Sequence, residues 1–138
     1  MTKTINVITI KKEGTKTVVA QEELEHDLES LQKFVGGYIE VTVAIPGSDD
    51  SNAVDLLMVL NDEGKMKQLP PTIAYVKDRE VVDFVAGNAF ITRRTGEDFG
   101  SVTDEDFRTI QSYYHGHAAL SVDGEHHHVI VFDGNKKG

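Results

Sequence analysis

Cysteine and tryptophan are absent from this chain, and there are only three prolines in 138 residues. Without cysteine there can be no disulfide, no thiolate nucleophile and no cysteine-based zinc site. Aromatic residues make up only 7%, so a core has to come mainly from aliphatic side chains. No apolar run approaches the ~20 residues that a membrane helix needs. Met1 to Ile5 lacks the apolar segment of a signal peptide. These absences predict a cytoplasmic protein with no membrane contact. Basic residues are also scarce, 14 against 23 acids, for a net charge of −9. That balance argues against direct binding to nucleic-acid phosphates. There is no phosphate loop, no Rossmann glycine pattern, no His-Glu-x-x-His and no Gly-x-Ser-x-Gly.

The most informative stretch is Leu24 to Ile45. Leu24, Leu28, Leu31 and Val35 are spaced by four, three and four residues, which predicts one long amphipathic helix with those side chains on a single face. Glu22, Glu23, Glu25, Asp27 and Glu29 fill the other sides, and acids in a first turn suit the helix dipole. Gly36-Gly37 is a helix stop, because glycine takes the positive φ that ends many helices. Ile39, Val41, Val43 and Ile45 then alternate with polar or small residues, the period of a half-buried strand. Pro46-Gly47 closes it.

Before this unit, Lys3 to Ile10 and Lys16 to Ala20 read as two strands about a turn at Lys11–Thr15. After it, Val54 to Leu60 is almost continuously apolar and is read as a strand covered on both faces. Asn61-Asp62-Glu63-Gly64 is turn chemistry. Pro71 to Tyr75 is read as a short helix or turn. Val81 to Thr92 is read as one strand, with Gly87 marking a bulge and Arg93 to Val102 following as a loop. Thr103 with Asp106 makes a capping box for a shorter second helix, in which Phe107, Ile110 and Tyr114 share a face.

At the C-terminal end, Ala118–Val122 and His126–Phe132 flank Asp123-Gly124, a strong hairpin signal. A two-residue loop would place Val122 opposite Glu125 and Ser121 opposite His126. Alternation then gathers His117, His126 and His128 on one face, and His115 adds a further donor. Imidazoles in that pattern suit zinc or another divalent ion. The competing reading is that they are the polar positions of an exposed hairpin, and no cofactor is expected on that reading.

L-x-x-L-Q-x-x-V-G-G-x-I-E, carried here by Leu28, Leu31, Gln32, Val35, Gly36, Gly37, Ile39 and Glu40, resembles the signature of an uncharacterised domain-of-unknown-function family from bacterial phages and integrative elements. The likeness continues through Val59–Lys65, Leu69-Pro70-Pro71, Val85–Ile91 and Thr103–Asp106, so it spans about Ile5 to Ile110. It implies a mobile-element accessory role in the bacterial cytoplasm and no established activity.

Together these features predict a single α+β domain over residues 1–138, with a family-like core at 1–114 and a histidine-containing hairpin and tail at 115–138. Its sheet is mixed and mainly antiparallel, with both helices on one side. The leading functional expectation is a non-enzymatic inhibitor of a host nucleic-acid-binding defence protein, such as a restriction or CRISPR nuclease. It would act through an acidic surface of Glu22, Glu23, Glu25, Asp27, Glu29, Glu97, Asp98, Asp104, Glu105 and Asp106. The bland alternative is that these acids only keep the protein soluble. Two further alternatives are a metal-dependent enzyme or sensor built on His115, His117, His126 and His128, and a pocket holding a small signalling nucleotide with Arg93 and Arg94. The hairpin would add a sheet edge or a homodimer contact.

Overall fold

The computed structural model describes residues 3–13, 16–45, 54–77, 80–95, 98–114, 120–122 and 125–131. Among the described residues, ten strands and two helices follow in the order β1 (Thr4–Glu13), β2 (Lys16–Glu25), α1 (Leu28–Val35), β3 (Ile39–Ile45), β4 (Leu56–Asn61), β5 (Pro71–Lys77), β6 (Glu80–Ala86), β7 (Ala89–Thr95), β8 (Asp98–Gly100), α2 (Asp104–Tyr114), β9 (Leu120–Val122) and β10 (Glu125–Val131). They form two sheets. The larger runs β2-β1-β7-β4-β3, with β8 also paired to β7, and the smaller runs β6-β5-β10-β9. Every described pairing is antiparallel.

The larger sheet is covered on both faces, because alternate residues of its strands point opposite ways. On one face Ile5, Val7, Val59 and Phe90 pack against Leu31 and Val35 of α1. Phe34 and Phe99 meet Phe90 edge to face, with centroids 5.9 and 6.5 Å away, the arrangement that ring quadrupoles favour. On the other face Ile8, Ile10, Met58 and Ile91 pack against Ile73 and Val85 of the smaller sheet and Ile110 of α2. The two helices therefore lie on opposite sides of the large sheet, not on one side. The expected single sheet is two.

The long helix predicted from Leu24 is a correction. Residues Lys16–Glu25 form one ten-residue strand, paired with β1 from Glu13↔Lys16 to Thr4↔Glu25, and α1 has only eight residues. Leu24 reaches the same cluster as Leu31 from a strand rather than from a helix, so its spacing of four from Leu28 is coincidence. Pairing along ten residues of β1 outweighs the weak helical preference of Glu22–Glu25. The real start is Asp27, whose carboxylate accepts from the Ser30 N–H at 2.8 Å, a standard N-cap. Leu28 is 59% exposed while Leu31 is 3% exposed, so Leu28 does not share the buried stripe. Gly36 ends the helix at φ 87°, as its sequence predicts.

Pro71–Lys77 is a strand rather than a helix or turn. Pro71 stands first in it, where no ladder N–H is required. Val81–Thr92 is two strands in different sheets, and Gly87 at φ 92° is the corner between them. Its N–H donates to Pro70 O at 2.8 Å, and its carbonyl accepts from the buried Thr72 hydroxyl at 2.9 Å. A methyl group there would lie 2.7 Å from Leu69 Cδ1. Asn88 Oδ1 accepts from the Lys12 N–H at 3.1 Å and so ties the corner to β1. Arg93–Thr95 and Asp98–Gly100 extend the large sheet where a loop is expected. Asn61 is buried at the end of β4. It donates to Val35 O at 3.1 Å and accepts from the Glu63 N–H at 2.8 Å, which joins the end of α1 to the following turn.

Helix register is tested by a pair of truncations. Leu31→Ala should cost about 2–4 kcal/mol in urea unfolding, as for other buried leucines, whereas Leu28→Ala should change stability by less than about 0.5 kcal/mol. Equal losses at the two positions would contradict the α1 boundary.

Candidate functional site: an acidic face around β2 and α2

Two acidic clusters some seventy positions apart in the chain meet in space. On the face of β2 that points toward α2, Gln21 Nε2 donates to Asp104 Oδ1 at 3.2 Å. Glu23 follows on the same side of that strand by alternation, whereas Glu25, at the end of the strand, reaches the start of α1, and both are exposed. Just beyond β2, His26 Nε2 lies 3.0 Å from Asp98 Oδ1 on β8. The His26 N–H also donates to Lys3 O at 2.7 Å. These contacts draw β2, the start of α1, β8 and the start of α2 into one surface. Glu23, Glu25, Glu29, Asp98, Asp104 and Glu105 are its exposed carboxylates.

Within this surface lies an open cleft of about 780 Å³ lined by Lys3, Glu25, His26, Asp27, Glu29, Ser30 and Lys33. The Ser30 hydroxyl has one proton to share between Asp27 Oδ2 at 3.0 Å and Glu25 Oε2 at 3.3 Å, so it serves the helix cap. The cleft is polar and wide, with no buried nucleophile beside a base.

The sequence-nominated acids divide by role. Asp27 caps α1. Asp106 accepts from the Thr103 N–H at 2.9 Å while its own N–H donates to the Thr103 hydroxyl at 3.1 Å, completing the capping box. It also lies 3.2 Å from Arg93 Nε, at an angle too poor for a hydrogen bond, which leaves that buried nitrogen with an ion-pair contact only. Glu22 sits on the α1 face of β2, away from Glu23. The Thr9 hydroxyl donates to it, and Lys11 Nζ lies 2.9 Å away. Those two partners, Thr9 first, hold its carboxyl below the ordinary value of 4.5. The Phe99 N–H, with help from His26, likewise lowers Asp98. Glu97 lies outside the described residues. The carboxylates left exposed on this surface are thus fewer than the acids counted along the chain.

Arg93 and Arg94 leave opposite faces of β7, Arg93 toward Asp106 and Arg94 Nε toward Asp55 at 3.3 Å, so they do not converge on one ligand. Of the nominated metal ligands, His115 and His117 lie outside the described residues. His126 pairs with Ser121 and His128 with Val76 through the backbone of β10, and the Asp123-Gly124 turn is outside the description. Among the described residues no group of three or more histidines and carboxylates converges as a metal site. No described helix is long and apolar enough to cross a membrane. Gln21 and His26 were missed as site residues because the helical spacing placed them around a helix. A longer reading of β2's alternation would have put Gln21 beside Glu23 at the acidic edge, but it carries no signal for His26, which lies beyond the strand.

The model of the family described as a domain of unknown function, DUF3846, matches residues 5–115. The chain belongs to the DUF3846 family. No curated protein and no solved structure matches it. The DUF3846 match takes in β1 through α2 and hence the whole acidic face, and ends where the histidine-bearing segment begins.

Glu22 offers a test of the site's electrostatics. A carboxyl whose pKa is lowered by folding stabilises the fold above its unfolded value and stops doing so as pH falls through its folded value. Glu22→Gln should therefore lose about 1 kcal/mol at pH 7, a small figure because its side chain is 35% exposed. The gap to the wild type should close as the pH is taken below 4.5 in urea titrations. A gap that is independent of pH would mean that packing, not charge, holds Glu22.

Proposed function

We propose that this DUF3846 chain is a non-enzymatic accessory protein of a phage or integrative element. In this reading it inhibits a host defence nuclease, of restriction or CRISPR type, by covering that enzyme's nucleic-acid-binding surface. The observation that carries the reading is the joining of the β2 and α2 acids into one exposed face through Gln21–Asp104 and His26–Asp98. A nucleic-acid groove is lined with lysine and arginine spaced to meet phosphates. An array of exposed carboxylates on strand and helix ends offers that groove a substitute for the phosphate backbone. Charge complementarity of this kind speeds encounter and selects the partner more than it adds affinity. The resemblance to phage and integrative-element proteins supplies the setting, in the cytoplasm of a bacterial host. The chain's net charge of −9 keeps it from contacting nucleic acid itself.

The test is competitive. Bacteria carrying individual restriction or CRISPR systems would express the chain and be challenged with phage, and the system that it disables would then be purified. Binding to that nuclease should weaken as salt rises and should be displaced by duplex DNA. Glu23→Lys, Glu25→Lys, Asp104→Lys and Glu105→Lys combined should reduce affinity by at least about tenfold. Unchanged binding with an unchanged salt slope would remove the acidic face from the mechanism.

A second reading keeps the histidines of 115–128 as a zinc site. It is supported by the placement of His126 and His128 two residues apart on β10, opposite Ser121 and Val76. Stoichiometric zinc in untagged protein, lost in a His126→Ala/His128→Ala variant, is its expected result.

A further inference from the structure

The small sheet is drawn from two parts of the chain that are held in different ways. β5 and β6 lie inside the stretch that matches the DUF3846 model, whereas β9 and β10 lie beyond residue 115, where the match ends. In the order β6-β5-β10-β9, β10 is the strand that covers the edge of β5. The matched stretch therefore contains β5 but not the strand that closes its edge. That edge has the sequence PTIAYVK, and Thr72, Ile73 and Ala74 within it are completely buried. An edge of this kind, with unpaired N–H and C=O groups beside apolar side chains, is a template for an added strand.

β5 has anchors of its own besides β10. Ile73 and its partner Val85 on β6 pack into the cluster between the sheets. Thr72 O accepts from the Thr17 hydroxyl at 2.9 Å, and Pro71 O accepts from Lys12 Nζ at 3.0 Å. These bonds tie β5 to both strands of the first hairpin. β6 runs into β7 through Gly87 and Asn88 alone. α2 borders β10, yet Ile110 and Phe107 fix that helix to the same cluster.

The β9–β10 pair is held by less of the chain. β10 pairs with β5 from His128↔Val76 to Val131↔Ile73. β9 pairs with β10 from Glu125↔Val122 to His127↔Leu120 and ends the sheet. From Tyr114 at the end of α2 to Leu120 is six Cα steps, a reach of at most about 23 Å. No described element follows β10. The pair can leave β5 as a unit by breaking one ladder, with α2 and the Gly87 corner in place.

We propose that the edge of β5 is a strand-acceptor site, that β10 fills it as a detachable strand, and that β10 of a second copy of this chain is the partner that takes its place. The occupant follows from the occupied state. The structure shows this edge accepting the sequence EHHHVIV in one antiparallel register, and every copy carries that strand. Exchange rebuilds the same ladder, which makes it a low-cost route to a dimer. The charges brought together in the exchanged ladder are those already together within one chain. In strand addition the backbone bonds supply the affinity and alternate side chains the selectivity. This site does not draw on the acidic face and stands or falls apart from it.

Hydrogen exchange on the full chain reads the opening. Amides of β10 should exchange at least about tenfold faster than those of β1, β4 and β7, as expected of a unit that opens below the global transition. A labelled peptide of residues 125–131 stands for the strand of a second copy, and the full chain should take it up. Val129→Pro/Ile130→Pro in the chain removes two N–H groups, one of which faces β5 by alternation. That variant should take up at least about ten times more peptide while its large-sheet amides stay protected. A scrambled peptide of the same composition should not bind. Exchange of β10 only together with β1, β4 and β7 would overturn the proposal. So would equal uptake of the scrambled peptide, or no uptake by the proline variant with its large sheet intact. If the proline variant does not fold, exchange and peptide uptake by the wild type decide.

Discussion

Phe90 and Ile91 are neighbours on β7, so their side chains leave opposite faces of the same sheet, and both are completely buried. That constraint requires two coverings. α1 closes over Phe90 with help from Phe34 and Phe99, while the smaller sheet and α2 close over Ile91. β1 and β4 flank β7 and obey the same rule, which is why Val7 and Ile8, or Met58 and Val59, are consecutive yet equally buried. Chains of this length have little apolar surface to spare, and here it is concentrated in three adjacent strands, with polar residues left for the periphery.

How much of this could be read from the residues depended on whether the deciding interaction was local. The Thr103–Asp106 capping box and the Gly36 stop are set by neighbours a few positions away, and both stand as read. Ile39–Ile45 is a strand as its alternation predicts, but Val41 and Val43 are exposed and Ala44 on the other face is buried, so the alternation did not give its buried side. The apolar run at Leu56–Val59 announced burial on both faces. The errors came where distant partners decide. Glu22–Leu24 has helical spacing with Leu28, but β1 claims it as strand. Gly87 looks like a bulge in one strand, but the buried Thr72 hydroxyl and the Pro70 carbonyl hold it as a corner between sheets. Pro71 looks like a helix start until β6 and β10 pair on either side of its strand.

The acidic site was legible in part. Its residue types were visible in the sequence as two clusters. Their union was not, because it depends on β2 running as far as Glu25 and on α2 starting beside Gln21. Several of the acids also have structural work: Asp27 and Asp106 hold helix starts, and Glu22 is engaged by Thr9 and Lys11. What is left, Glu23, Glu25, Glu29, Asp98, Asp104 and Glu105, is a smaller set than the raw charge suggests.

The corner at Gly87 bears on how the molecule comes apart. Only Gly87 and Asn88 separate β6 in one sheet from β7 in the other, so Ala86 and Ala89 are three Cα steps, at most about 11 Å, apart. Layers that pack about 10 Å apart cannot swing open on so short a tether without pulling a strand out of one of them. Thermal motion that would peel the small sheet from the large one is thereby coupled to breaking ladder hydrogen bonds, and the two layers melt together instead of in succession.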